Sequence, residues 1–277
     1  MHGNFLWLGN PAAGYSRIAM KETDTKEIIP ADFVRKMKFY LTSPQPCPYL
    51  PGKMERKVFA NLAVDGAVDL NDSLTRSGFR RSQTIAYRPA CKACGACRSV
   101  RIDVAAFTMT RRWRKVLMRN AVMEREASTA RATREQFRLL KRYLDVRHPG
   151  GGMTDMEIRD YAGMVDASPV ETVVFEYRNR LEAGSGDDGA LQAAALTDVL
   201  RDGLSMVYSF YRPELADRSV GSFMVLDHVR LALELGLPYV YLGYWVRGSD
   251  KMGYKADFTP LEVFDGEEWR PLREEEI

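Results

Sequence analysis

Four cysteines carry the most specific chemistry in the sequence. Cys91, Cys94 and Cys97 follow a Cys-x2-Cys-x2-Cys spacing, and Cys47, in a proline-rich stretch, is the fourth and last. Two-residue gaps suit thiolates that share one soft metal or cluster. The run therefore reads as zinc or iron–sulfur ligation, three quarters of a ferredoxin-type pattern with Cys47-Pro48 as the candidate fourth ligand. Thiols packed between proline-rich loops explain the same residues without a metal, and the spacing alone leaves both readings open.

Three further groups could do chemistry. From Tyr239 to Pro260 the chain sets Tyr241, Tyr244, Trp245, Arg247, Lys251, Tyr254 and Lys255 close together. Ring faces, phenol donors and fixed positive charge of this kind grip a polyanion or a nucleotide end, whereas the plainer reading is an aromatic core strand followed by a solvated basic loop. Around Trp113 stand Arg111, Arg112, Arg114, Lys115 and Arg119 with no acid among them, which points to phosphate contact or to an exposed basic helix face. Arg80 and Arg81 are adjacent, so on a strand they point to opposite faces and only one of them can reach a given site. Only three histidines exist, His2, His148 and His228, and they assemble no Ser-His-Asp or Cys-His constellation. The sequence therefore offers positioning and proton-donating groups such as Tyr208, Tyr211, Ser222, Tyr241 and Lys251. His228, in mid-helix, reads as structural.

The elements that must position these groups follow from composition and pattern. The chain has 277 residues, 45% hydrophobic and 28% charged, with a net charge of +3, enough for a substantial core in one large or two smaller domains. No apolar run approaches the ~18 residues of a membrane span, and the N-terminus lacks a signal-peptide pattern, so a cytoplasmic protein is expected. Residues 1–37 show scattered Gly, Pro and charge and read as an extension. A proline-rich loop at 43–52, a helix from Val68 to Ser77 stopped by Gly78, and a strand from Phe79 to Tyr87 belong to a small domain over 38–115. Arg98 to Phe107 reads as a strand, and Thr110 caps a helix from Arg111.

Residues 116–277 give a clearer pattern. Capping boxes at Thr133–Gln136 and Thr154–Glu157 start two helices. Val170–Tyr177, Leu191–Leu200 and Met206–Tyr211 then form an antiparallel meander, with an acidic glycine turn at Arg180–Gly189. A helix from about Asp217 or Ser219 to Gly236 crosses over to a parallel strand at Tyr239, and a hairpin at Leu261–Trp269 closes the chain. The expected class is α+β: a small cysteine-containing domain, then a mixed-sheet domain whose element order resembles the acetyltransferase-like fold of the GNAT type. In that fold a glycine-rich loop cradles the pyrophosphate of acetyl-CoA at a helix N-terminus. Here the matching stretch is Arg218-Ser-Val-Gly221-Ser-Phe223, with a bulky Phe223 where a small residue belongs.

Several blocks in a fixed order make a further resemblance specific. Phe39-Tyr-Leu-Thr, Cys47-Pro-Tyr-Leu-Pro-Gly, Glu55-Arg-Lys-Val-Phe59, Gly78-Phe-Arg-Arg-Ser82, Tyr87-Arg-Pro89, the cysteine run, Tyr208-Ser-Phe-Tyr211, Tyr241-Leu-Gly-Tyr244 and Lys251-Met-Gly-Tyr-Lys-Ala256 together resemble the aminoacyl-tRNA-protein transferases, most of all the bacterial aspartate/glutamate leucyltransferases. The resemblance implies transfer of leucine from leucyl-tRNA to proteins that begin with Asp or Glu, marking them for N-degron proteolysis. It implies no cofactor for the transfer itself. From eukaryotic relatives, which transfer arginine, it implies an iron–sulfur cluster or zinc on Cys47, Cys91, Cys94 and Cys97. Within that reading Arg56, Arg80, Arg81, Tyr49, Tyr244 and Tyr254 are candidate substrate-binding residues, and Arg111, Arg112, Arg114, Lys115 and Lys255 candidate tRNA contacts. Arginyl transfer and acetyl-CoA-dependent N-acyl transfer are the alternatives.

Overall fold

In the computed structural model, residues 37–180 and 189–277 are described. The extension at 1–37, but for its last residue, and most of the Arg180–Gly189 turn lie outside the described residues. In chain order the first part gives β1 (Phe39–Leu41), β2 (Gln45–Pro46), β3 (Met54–Glu55), β4 (Lys57–Asn61), α1 (Ala67–Arg76), β5 (Arg80–Ser82) and β6 (Ile85–Pro89). Four of these strands form a small sheet in the order β1-β4-β6-β5. Alternation along β4 sends Ala60 inward beneath Leu70 and Leu74 of α1, with Leu62 and Phe79 completing a separate apolar cluster.

Two expectations change here. The strand foreseen from Phe79 to Tyr87 is a hairpin, because Gln83 adopts a φ of 52° and folds the chain back between β5 and β6. The proline-rich loop also contains a short antiparallel pairing, Gln45 with Glu55 and Pro46 with Met54. Proline tolerates such an edge, where no ladder donor is required of it.

The rest of the chain builds one large mixed sheet. It comprises β7 (Cys97–Asp103), α2 (Arg111–Arg119), β8 (Met123–Thr129), α3 (Arg134–Arg147), α4 (Ile158–Val165), β9 (Thr172–Asn179), β10 (Leu191–Leu200), β11 (Gly203–Tyr211), α5 (Val220–Glu234), β12 (Tyr239–Val246), β13 (Leu261–Phe264) and β14 (Trp269–Pro271). The strand order is β14-β13-β7-β12-β11-β10-β9-β8. β9, β10 and β11 form the expected meander, and β11 and β12, joined through α5, run parallel. β7, from the cysteine segment, pairs with both β12 and β13 inside this sheet.

Side chains alternate between two apolar layers. On one face Phe175, Ala193, Ala195, Leu204 and Val240 pack under α5 and α2. On the other, Val174, Ala194, Leu196 and Phe210 pack under α3 and α4. α2 starts where Thr110 accepts the Trp113 N–H, and α3 starts on a complete capping box between Thr133 and Gln136. The box foreseen at Thr154 is displaced. Glu157 takes the N-cap of α4 with its N–H bound by Asp160, while the Thr154 hydroxyl donates to the Gly151 carbonyl. Asp160 is the nearer acceptor, three residues into the helix. No helix among the described residues is long and apolar enough to cross a membrane.

Candidate active site

The site grows from a break in backbone pairing. β11 and β12 pair in parallel only from Gly203 with Tyr239 to Ser205 with Tyr241. Beyond that the strands part, and their carbonyls need other donors, because an unpaired buried carbonyl costs about 1–3 kcal/mol. Two basic side chains supply them. Arg80, reaching across from β5, donates Nη1 to the Leu242 carbonyl at 3.3 Å and Nη2 to those of Met206, at 3.4 Å, and Val207. Lys255 donates Nζ to Leu242 at 2.8 Å and to Tyr244 at 2.7 Å.

Gly243 is the residue that lets the guanidinium in. Its φ is +72°, and a Cβ there would fall within the Arg80 head group, 2.6 Å from Cζ. Beside it, the register between β12 and β7 shifts between Tyr241 and Gly243. Local glycine geometry and a long-range arginine thus fit one another.

Tyrosines surround this gap. Burial raises the pKa of Tyr208 to about 12 and that of Tyr49 to about 12, with Arg80 opposing both shifts. Burial also raises Tyr254, again opposed by Arg80. Tyr254 nonetheless leaves 45% of its residue surface open. Tyr244 shares its hydroxyl proton between the carbonyls of Tyr87 at 2.8 Å and Gly78 at 3.0 Å. At neutral pH these phenols are uncharged donors. Tyr211 meets Tyr143 edge to face at 5.1 Å, and Tyr143 meets His148 at 5.6 Å. Burial holds the His148 pKa down, helped by the positive charges of Lys251 and Arg147. Tyr143, on α3, escaped sequence reasoning, and His148, just after it, was counted among the three histidines without a place in the site. The signal available was Tyr143 flanking the Leu140 and Leu144 stripe.

The other expected residues separate. Arg81 is locked away from the site, its guanidinium on both carboxylate oxygens of Asp198 at 2.6 and 2.7 Å, each side chain 1% exposed. Tyr241 is a structural link, donating to Asp202 at 3.0 Å and accepting from Arg101 at 3.2 Å, with Trp269 against its ring. Lys255, expected on tRNA, is 4% exposed and gives its Nζ donors to two carbonyls of β12. Burial, with Arg80 nearby, holds its pKa well below the usual lysine value. Lys251 is exposed, and Ser222 is half-buried in the first turn of α5. Arg56 donates Nε to the Thr42 carbonyl. His228 is fully buried between the Thr197 hydroxyl and the Met224 carbonyl, as a structural histidine should be.

On α2, Arg111, Arg112, Arg114 and Lys115 all face outward while Trp113 and Val116 enter the core. Arg112 finds an acid from elsewhere in the chain, Asp257 at 2.9 Å. The four cysteines converge on one cavity of about 40 Å³ lined also by Tyr49, Tyr87 and Tyr244. Burial raises Cys97 to about 12, and the nearby Cys47, Cys91 and Cys94 add to the shift. Their soft donors suit a metal chemically, yet no group of three or more His, Cys, Asp or Glu side chains among the described residues is arranged to hold one.

Comparisons with known proteins bear on the same segments. The family model for arginine-tRNA-protein transferase, N terminus, matches residues 45–115, and that for the C terminus matches residues 135–265. A curated aspartate/glutamate leucyltransferase of Hyphomonas neptunium is 54% identical over 93% of this chain and 100% of its own length. Those of Dinoroseobacter shibae and Phenylobacterium zucineum are 56% and 55% identical over 86% and 85% of this chain, and 85% and 91% of their own lengths. Among solved structures, the crystal structure of FemX aligns with 70% of this chain and 64% of its own at 13% identity and a TM-score of 0.42, too loose a likeness to bear on function.

Proposed function

The chain belongs to the arginine-tRNA-protein transferase family, and from that premise we propose that it transfers leucine from leucyl-tRNA to the α-amine of proteins beginning with Asp or Glu. One observation carries leucine over arginine: the 54% identity that spans the whole of a relative named for that reaction. Such a product would be marked for N-degron proteolysis, and a cytoplasmic reaction is part of the same proposal. The order α3, α4, β9, β10, β11, α5, β12 supports a GNAT-like reading of the large-sheet unit. Acetyl-CoA use has less support, because Phe223 is packed against Tyr177 in the core where a pyrophosphate loop needs a small residue.

The reaction suits a site without a strong base. The substrate α-amine has a free pKa of about 7.7–8.0, so a fraction is neutral at pH 7. Its nitrogen forms a bond to the leucyl carbonyl carbon, the ester C–O bond breaks, and the amine proton passes to the departing ribose oxygen. Alignment and oxyanion stabilisation are what the protein must add. Tyr208, half-buried and uncharged beside Arg80, is the proposed donor to the developing oxyanion. Arg80 commits three hydrogen bonds to carbonyls, and a guanidinium has five N–H groups. The remaining donors, with its charge, would meet the carboxylate of an N-terminal Asp or Glu. The outward cations of α2 would meet tRNA phosphates. No step runs through the cysteines. Zinc or an iron–sulfur cluster on Cys47, Cys91, Cys94 and Cys97 is a separate proposal that requires their pocket to close around the ion, and metal analysis after anaerobic purification tests it.

The test of the function offers leucyl-tRNA or arginyl-tRNA together with peptides beginning Asp, Glu, Arg or Lys. Leucine should pass to the Asp and Glu peptides only. Equal use of both donors, or transfer of neither amino acid, would overturn the reading.

A further inference from the structure

The small sheet presents a row of directly opposed residues on one face. Tyr40 of β1 lies opposite Phe59 of β4, Phe59 opposite Tyr87 of β6, and Tyr87 opposite Arg80 of β5. Opposed residues in an antiparallel sheet share a face, so three aromatic rings run across it and end at the arginine that enters the gap between β11 and β12. One ring contact within the row and one beyond its inner end accompany this register. Tyr40 stacks on Phe59 with centroids 5.5 Å apart and planes at 27°, and Tyr87 meets Tyr244 at 5.8 Å. At the Arg80 end the row is covered by the large sheet. At the other end it opens, with Tyr40 49% exposed on an edge strand.

The charge beside this row is a Lys57–Glu55 pair at its inner end and, among the described residues, an unpaired cation at its open end. Lys57 stands over the Tyr87 ring at 5.5 Å, and exposed Lys38 precedes β1. The carboxylate of Glu55 in the neighbouring hairpin is already paired with Lys57 at 2.8 Å. Aromatic faces with flanking cations are the chemistry that holds unpaired nucleotides, since every base offers a π-face and every link a phosphate. The aminoacyl ester sits on such a nucleotide, at the single-stranded 3′ end of tRNA.

Resting on the function proposed above, we infer that the Tyr40–Phe59–Tyr87 row is the platform on which the unpaired 3′-terminal nucleotides of the aminoacyl-tRNA stack, leading the ester to Arg80 and the gap between β11 and β12. The row is continuous with that gap through Tyr87 and Tyr244. Its open end lies far enough from the core that truncating Tyr40 leaves the small sheet's buried cluster intact.

The experiment uses the full chain, wild type, Tyr40→Ala and Tyr40→Phe. Affinity is measured for an intact leucine tRNA and for the same tRNA trimmed of its unpaired 3′ nucleotides, across a salt series, together with KM for leucyl-tRNA and for an Asp-initiated peptide. Wild type should prefer the intact tRNA by at least about tenfold, since each stacked base is worth about that factor. Tyr40→Ala should lose about tenfold of that preference and raise KM for leucyl-tRNA alone, and Tyr40→Phe should keep both. The salt slope should stay unchanged in all three, because stacking releases no counterions. A Tyr40→Ala protein with wild-type preference for the 3′ end would overturn the proposal. So would a rise confined to the peptide KM, which would assign the row to the protein substrate. Wild-type protein that prefers the intact 3′ end yet transfers no leucine would support the platform and overturn only the reaction.

Discussion

Replacing Gly243 by alanine tests whether the Arg80 guanidinium and the β12 backbone are one unit. A Cβ at Gly243 would sit within the Arg80 head group, and the position holds φ +72°. The left-handed backbone alone costs an L-residue about 1–2 kcal/mol. Expelling Arg80 would leave the Met206 and Val207 carbonyls without that donor, while Leu242 keeps Lys255. At about 1–3 kcal/mol for each carbonyl left unsatisfied, the eviction adds roughly 2–6 kcal/mol. Arg80→Ala by itself should cost the same eviction energy without the backbone strain. In the Arg80→Ala background, Gly243→Ala should then cost only the strain. Urea unfolding of the wild type, both single variants and the double variant closes the cycle, with transfer to an Asp peptide as a parallel readout. The double variant should be little worse than Arg80→Ala plus the strain. Costs that add to within about 0.5 kcal/mol, the tolerance for independent sites, would refute the coupling.

Other outcomes follow from the same geometry. Arg81→Ala leaves the Asp198 carboxylate buried without its guanidinium partner, so it should lower unfolding free energy by about 3–5 kcal/mol in denaturant titration. Asp72, a buried residue of α1, has its pKa raised from 3.8 to about 6 by burial, against a hydrogen bond from the Arg201 N–H. The native state therefore holds this proton where the unfolded chain has lost it, and stability should fall as pH rises from about 4 through 6. Asp72→Asn should flatten that fall in a series of melts, and an unchanged profile would contradict the shift. Neutralising Arg111, Arg114 and Lys115, which face outward from α2, should reduce the slope of log affinity for tRNA against log salt by roughly 0.7–0.9 per lost phosphate contact. Arg112, paired with Asp257, should contribute less to the slope.

Local and near-local physics was legible in the residues. The Thr110 cap, the Thr133–Gln136 box and the Gly78 stop depend on neighbours within a few residues, and the strands of the β9–β10–β11 meander and the helix leading to Tyr239 on one repeating period, so the sequence alone indicated these elements. Adjacency on a strand likewise required Arg80 and Arg81 to face opposite ways. The hairpin at Gln83 was hidden because neither Gln83 nor Thr84 is a residue that signals a turn. Which arginine serves the gap was decided by Asp198, 117 residues further along, and by the unpaired carbonyls of Met206, Val207 and Leu242. Lys255 read as a surface cation because its acceptors exist only where two parallel strands separate. Insertion of β7 between β12 and β13, and the alignment of Tyr40, Phe59 and Tyr87 into one row, are matters of register between distant segments. Sequence pattern fixes which face a side chain takes along its own strand, but only the assembled sheets decide what lies opposite it.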